Sequence, residues 1–427
     1  MKKKIVMIVG LLLMLLVVQV PEANAATEWN EQADAIVVTE GPYTYHAYTS
    51  VDNQSCWIYL IDIDYNKVDE ANELLIPSEL MGRTVTRLGY DFPEDDWDAE
   101  FYSNIFGVVV EQAHNLDGYS PRLKNLTKLT IPDTVEQIEP TCFSGVAFVE
   151  TIELPPNVKK IYRETFYGCT KLKKIVLPKN LKSLDVAAFE DCPNLKKIEI
   201  SNTNKNYYVK NGLLIEKKKQ RAIMAVQAKK KVIIPKGVKV LGTRLLSYGK
   251  IKKVVIPASV RDVEVLALNN KHIKKISIAK SSKYLAWDGQ CIYDKVDLSL
   301  VVAKPKANGY LRISNKVIYL KDEASLIGGN KVKVMVIPSS VTMAGLTGLH
   351  VDRSRAEKVY FLGKTPPELL ETEDYYSSLP IFTNVYVRQK AFTAYQNWYD
   401  EYDLLDAVYS WNIFKPSDLK VYTKKKK

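Results

Sequence analysis

From Leu126 onward one arrangement of apolar and variable positions recurs along the chain. In LTKLTIPDTVEQIEPTCF from Leu126, VETIELPPNVKKIYRETF from Val149 and LKKIVLPKNLKSLDVAAF from Leu172, an apolar residue precedes two variable ones. An apolar residue, one variable residue, Ile or Leu, and Pro then follow. Three residues after the Pro stands Val or Leu, another apolar residue lies three later, and Phe follows five beyond that. The copies begin at 126, 149 and 172, a step of 23 residues, and LKKIEIS from Leu195 keeps the step. VIIPKGVKVLGTRLL from Val232, VVIPASVRDVEVLAL from Val254 and VMVIPSSV from Val334 agree, and LRIS from Leu311 is a degenerate copy. The period-two stretch predicts a short strand, which the Pro ends by withholding a ladder donor. The V-x-x-I segment is expected to turn the chain back, and the Phe to plug the interior. A unit this small cannot bury its apolar side alone, so successive units must stack into a solenoid. The expected core is Leu129, Ile131, Phe143, Ile152, Leu154, Phe166, Cys169, Ile175, Leu177, Phe189, Cys192, Ile198 and Ile200.

Departures from the period divide the chain. Residues 74–364 carry the solenoid, with an irregular insertion at 90–125 and hairpin insertions near 205–230 and 283–308. Asn211-Gly212 and Asp288-Gly289 suit two-residue hairpin turns that demand positive φ. Leu246 and Leu268 replace the Phe, and Cys142 precedes its Phe instead of following it. Residues 26–73, with the alternating TYHAYT and CWIYLI, are expected to form an N-terminal cap. Residues 365–427 are expected to form a C-terminal cap and basic tail. There Ala391, Tyr395 and Trp398 fall at the spacing of a closing amphipathic helix. DFPEDDWDAEFY, residues 91–102, supplies carboxylates of the kind Ca²⁺ takes but in no recognised spacing, and reads as a solvated excursion.

The string L-x-x-I-x-[IL]-P-x-x-V-x-x-I-x-x-x-x-F-x-x-C resembles the BspA-like leucine-rich repeat, a class of bacterial surface and secreted proteins. LLIPSELMGRTVTRLG from Leu74 is similar to that family's opening repeat. YYVKNGLLIEKKKQRAIMAV from Tyr207 and YLAWDGQCIYDKVDLSLVVAKP from Tyr284 resemble its hairpin-bearing repeats. FLGKTPPEL from Phe361 and VYVRQKAFTAYQNW from Val385 look like its closing repeat. The resemblance covers roughly residues 43 to 414. It implies a leucine-rich-repeat solenoid with short parallel strands on one face and turns with short helical or 3-10 segments on the other. It also implies adhesion to host or bacterial macromolecules.

The ends change the picture next. Lys2 to Lys4, the apolar run Ile5 to Val18 and Ala23-Asn24-Ala25 have the layout of a signal peptide over residues 1–25, cleaved after Ala25. The run is shorter than the roughly 20 residues a bilayer span needs. A secreted, extracellular protein is expected, held non-covalently at the cell surface if at all, with no integral membrane segment after cleavage. The 60 basic and 49 acidic residues, less three Lys and Glu22 of the signal, leave 57 minus 48, or +9. That balance permits contact with anionic partners without requiring it. Five Cys, an odd number, argue against a fully paired disulfide scaffold, so stability must come from packing.

Residues between the apolar ones of each strand point outward. The first outward position reads Lys128, Thr151, Lys174, Lys197, Lys231, Lys253, Lys275, Tyr310, Val334 and Lys358. Its lysines, Lys128, Lys174, Lys197, Lys231, Lys253, Lys275 and Lys358, are the candidate ligand-facing residues, weighed against a simple solvated face. Aromatics on that face are too few for base stacking, so a dedicated nucleic-acid ligand is not expected.

Four His, scattered in different units, offer little to a catalytic triad or a metal site, and no P-loop, G-x-S-x-G or H-E-x-x-H occurs. No catalytic residue, cofactor or metal is expected. The expectation is a monomeric, non-catalytic recognition protein whose ligand is a protein, glycan or anionic polymer. The alternatives are an envelope protein retained on anionic wall polymers and, in a different class, a carbohydrate-active enzyme with paired carboxylates about 5 to 9.5 Å apart.

Overall fold

The computed structural model describes residues 5–6, 17–18, 35–64, 73–90, 105–106, 128–226, 230–247, 249–321, 324–327, 332–345, 356–370, 385–398 and 419–422. The signal segment, apart from the antiparallel pair Ile5–Val6 and Val17–Val18, lies outside them. So do the acidic-aromatic stretch 91–102 and the terminal lysines. The chain divides into two compact units, Met1–Tyr208 and Val209–Lys427.

In the first unit the repeats pair as a parallel ladder. Glu73–Leu75, Lys128–Thr130, Thr151–Glu153, Lys174–Leu177 and Lys197–Ile200 form one sheet in chain order. The register aligns Leu74, Leu129, Ile152, Ile175 and Ile198, all buried. Each Pro then does more than end its strand. The carbonyls of Pro132, Pro155 and Pro178 accept from Val135, Val158 and Leu181, three residues on, so the Pro opens a tight turn. After the turn the chain forms a second parallel ladder of very short strands, where the sequence suggested mainly turns and short helices. Gln137–Ile138 pairs with Arg83–Leu88, and Lys160–Ile161 with Ser183–Leu184. Two successive residues with extended backbone suffice to share ladder bonds with the next unit, satisfying amides that a buried turn would leave unpaired.

Between this ladder and the Phe the chain takes a sharp corner. Thr141 and Glu164, two residues before Phe143 and Phe166, have φ of 57° and 58°. In the third copy a 3-10 turn, Val186–Phe189, replaces the corner, with the Asp185 carboxylate accepting from the Ala187 amide at 2.8 Å. It is the short helical segment expected in these repeats, and among the described residues a second 3-10 turn, Gln389–Ala391, follows the strand Val385–Arg388. Phe143, Phe166 and Phe189 stack at 5.6 and 5.1 Å with nearly parallel rings. The thiols of Cys169 and Cys192 donate to the carbonyls of Phe143 and Phe166, in the unit before.

Of the expected core, Leu129, Ile131, Phe143, Ile152, Leu154, Phe166, Cys169, Ile175, Leu177, Phe189, Cys192 and Ile198 are buried. Ile200 is only half-buried, a correction to its expected core place. It ends Lys197–Ile200, the edge strand of its sheet, where no further strand of that sheet covers it.

In the sheet of Arg83–Leu88 and Gln137–Ile138 stands an antiparallel meander of Ile36–Glu40, Tyr43–Thr49 and Ser55–Ile63. TYHAYT and CWIYLI therefore pair as a hairpin, and a further strand precedes them. Ser55–Ile63 runs parallel to Arg83–Leu88, joining the meander to the repeats.

The second unit repeats the plan. Lys231–Ile233, Lys253–Ile256 and Lys275–Ile278 form one parallel sheet. Tyr310–Arg312, Val334–Ile337, Lys358–Phe361, Val385–Arg388 and Leu419–Tyr422 form another. The ladder thus runs past residue 364 into the segment expected to be cap. Leu246 and Leu268 fill the Phe place and are fully buried, behind the same left-handed corner at Arg244 and Leu266. Ala391 and Tyr395 are buried, with Trp398 packed on the same cluster, where residues 392–398 are helical.

Both expected hairpins form, with different turns. Asn211 and Gly212, at φ of 56° and 80°, make the two-residue turn. Asp288-Gly289 does not. Three residues separate Leu285–Trp287 from Cys291–Asp294, and the Asp288 carboxylate accepts from the amides of Gln290 and Cys291. That side-chain turn holds the corner with left-handed backbone at Gly289 and none at Asp288.

All five Cys are buried free thiols. Burial pushes the Cys56 thiol up to about 11 and that of Cys291 to about 12, and holds Cys142 and Cys169 well above the ordinary range. A thiol reagent is expected to label none of them in the folded chain and all five in denaturant. Early labelling at neutral pH would contradict this burial. The linked sign is a loss of stability as pH rises above about 8.5, where unfolded thiols ionise and the folded ones resist.

Candidate functional site

The outward face of the ladder is the candidate site, and its two units differ in charge. In the first unit the register places Glu73, Lys128, Thr151, Lys174 and Lys197 side by side, with Leu75, Thr130, Glu153, Val176 and Glu199 as the next row. The lysines expected to form a cationic column are neutralised there. Lys128 Nζ lies 2.6 Å from Glu73, and Lys174 Nζ lies 2.8 Å from Glu199, which also pairs with Lys197. Hydrogen bonds from Lys128 and Thr130 hold the Glu73 carboxyl below its usual range, and those from Lys174 and Lys197 do the same for Glu199. Just outside the strand, Lys173 pairs with Glu150. Repulsion between like charges about 4.8 Å apart is thereby relieved. The sequence pattern places Glu199 in the next outward row, Thr130, Glu153, Val176, Glu199, Ile233, Val255, Ser277, Arg312, Val336 and Tyr360, without pairing it to Lys174 and Lys197, and Glu73 precedes the recognised repeat.

In the second unit Lys231, Lys253 and Lys275 are also in register. Their next row is Ile233, Val255 and Ser277, with no carboxylate. Lys358 lies apart from these, in a row with Tyr310 and Val334. The second row of that sheet is Arg312, Val336, Tyr360 and Tyr386, with the two tyrosine rings stacked at 4.7 Å. Tyr386 escaped the reading of the repeats because Val385–Arg388 falls in the segment assigned to the cap.

Away from the ladder, the cap meander carries an aromatic group. Tyr48 stacks on Tyr59 at 4.6 Å, Tyr90 lies 5.7 Å from Tyr59, and His46 Nε2 is 2.7 Å from the Asp62 carboxylate. Burial pushes the Tyr59 phenol up to about 12. Among the described residues no cluster of three or more His, Cys, Asp and Glu side chains is placed to hold a metal. His114 and His350 lie outside those residues. No helix among them is long and apolar enough to cross a membrane.

Two parallel ladders joined by tight turns, with a Phe or Leu plug in each unit, define a leucine-rich-repeat β-solenoid. The repeats are of one particular type: the BspA type leucine rich repeat region matches in six copies, over residues 119–213 and 215–288, so this stretch consists of BspA-type repeats. Proteins with such repeats are bacterial cell-surface proteins. No curated protein matches the chain. Among solved structures, it is similar to a leucine rich cell surface protein from Faecalibacterium prausnitzii A2-165, at 14% identity and a TM-score of 0.37, covering 80% of this chain and 97% of that one. The pneumococcal vaccine antigen PcpA gives 14% identity and a TM-score of 0.39, covering 92% and 99%. A leucine-rich repeat protein from Eubacterium ventriosum ATCC 27560 gives 18% identity and 0.34, covering 84% and 82%.

Proposed function

We propose that this protein is an exported, non-catalytic recognition protein that binds macromolecules at the bacterial surface through the outward face of its ladders. The supporting observation is the face itself. In each unit the in-register strands present rows of side chains on a backbone paired along the ladder, so neighbouring rows are held at fixed spacing. A ligand engaging several rows meets a surface already ordered, which lowers the entropic cost of association. Export follows from the signal-like leader, and the family of the repeats favours a place at the cell surface.

The test is binding of the purified, leader-free chain to intact bacteria, host cell layers and immobilised matrix proteins. Tyr360→Ser with Tyr386→Ser, and separately Lys253→Glu with Lys275→Glu, alter the outward faces. At least one pair is expected to weaken the binding seen with wild type by about tenfold, or about 1.4 kcal/mol. Exposed changes on the connecting turns, such as Lys236→Ser, are expected to leave it within twofold. No binding to any of these surfaces, or binding indifferent to every face substitution, would remove the reading.

A further inference from the structure

We infer that the sheet formed by Lys231–Ile233, Lys253–Ile256 and Lys275–Ile278 is a binding site for a linear phosphodiester polymer of the polyol-phosphate class. The inference deepens the surface-recognition reading and rests on it. Each of the three strands begins at a lysine that directly follows another: Lys230 and Lys231, Lys252 and Lys253, Lys274 and Lys275. The backbone fixes them in step. The Lys230 carbonyl accepts from the amides of both Lys252 and Lys253, at 2.7 and 3.1 Å. The Lys252 carbonyl does the same for Lys274 and Lys275, at 2.9 and 3.0 Å. Five of the six side chains are exposed and Lys253 is half-buried. The ion pairs of the face in the first unit have no counterpart here: among the described residues none of the six meets a carboxylate, since the second row holds Ile233, Val255 and Ser277.

Six ammonium groups on rungs about 4.8 Å apart repel one another, so the block carries an electrostatic cost that a counter-charge would relieve. An anion chain lying across the strands would place successive charges opposite successive lysine pairs. Its chemistry is narrowed by what stands beside the lysines. Ile233 is 43% exposed and, with Val255, forms an aliphatic strip next to the charges. No aromatic ring stands in the two outward rows to stack on bases, which disfavours single-stranded nucleic acid, and none offers a flat face to a pyranose ring. Lysine, a point charge on a flexible stem, suits single phosphates presented one at a time, whereas a planar fork would favour bidentate groups. Short aliphatic links between phosphodiesters fit the strip.

The measurement is binding of the full leader-free chain to immobilised synthetic poly(glycerol phosphate), from about 50 mM to about 200 mM salt. The K231Q/K253Q/K275Q variant is expected to bind at least about tenfold more weakly. Its log–log salt slope should be shallower by about 2, because each of three lost phosphate contacts contributes about 0.7. The variant K128Q/K174Q/K197Q in the first unit, with the same change in net charge, is expected to stay within twofold. K230Q/K252Q/K274Q should behave as the first variant does, and unchanged thermal midpoints establish that all three remain folded. Equal losses in the first-unit control, or no binding by wild type at the lower salt, would overturn the inference. So would oligo-dT or heparin outcompeting the polymer at equal charge. If matrix-protein or cell binding persists while polymer binding is absent, only this inference falls and the recognition reading stands.

Discussion

Replacing Phe166 by alanine is expected to cost the first unit about 3–5 kcal/mol of unfolding free energy. Phe166 is fully buried between Phe143 and Phe189, so its ring is shared by the interfaces on both sides. In a stack of repeats stability is the sum of unit and nearest-neighbour contributions, and the removal of this ring weakens two neighbour contacts at once. The cavity cannot close easily, because the backbone around it is pinned: the Phe166 amide donates to Ala188 and its carbonyl accepts from the Cys192 thiol. Urea unfolding followed by tyrosine and tryptophan fluorescence is expected to show the loss as a lowered midpoint. Phe166→Leu should cost far less, about 1.5 kcal/mol at most, since Leu246 and Leu268 fill the same place in the second unit. If alanine and leucine proved equally mild, the stacked rings would not be the core of the repeat.

Glu139→Ala is expected to destabilise the same unit by about 3–5 kcal/mol, while the double change Arg87→Met with Glu139→Leu should be close to neutral. Arg87 and Glu139 are 7% and 3% exposed, with Nε and Oε1 2.5 Å apart, and the guanidinium lies 3.9 Å from the Trp57 ring centroid. Gln137 donates to the same carboxylate oxygen at 2.6 Å. Truncating the carboxylate takes its charged partner from a buried guanidinium, whereas replacing both ions with apolar groups removes the desolvation cost together with the attraction. Thermal melts of the two variants separate these cases. A double variant as unstable as Glu139→Ala would mean that the attraction of the pair, rather than the burial of one unmatched ion, sets the stability. The pair links Arg83–Leu88 to the residue after Gln137–Ile138, the join between the opening repeat and the first regular one.

The ladder was legible because its cause is local. The alternation around Leu129, Ile152 and Ile175, the Pro that follows and the 23-residue step each state a preference of a few neighbouring residues, and copying that preference leaves stacking as the way to bury it. The left-handed corners at Thr141, Glu164, Arg244 and Leu266 were not legible. No glycine marks them, and each costs roughly 1–2 kcal/mol of backbone preference that the packing of the following Phe or Leu offsets. The second parallel ladder was hidden for a related reason: pairs such as Lys160–Ile161 are too short to announce a strand and exist only because the next unit supplies the partner.

The candidate face divides along the same line. That lysine recurs at the first outward position, in Lys128, Lys174, Lys197, Lys231, Lys253 and Lys275, is a property of the string of residues, as are the signal-like layout of residues 1–25 and the scarcity of histidine. Which of those lysines remain available to a ligand is a property of the assembled sheet. Glu73 comes 55 residues before Lys128, and only the parallel pairing of their strands sets the two side by side. Local sequence determines which side chains point outward, since strand geometry alternates them. Charge compensation depends on neighbours across the ladder, and those neighbours exist only once the chain has coiled.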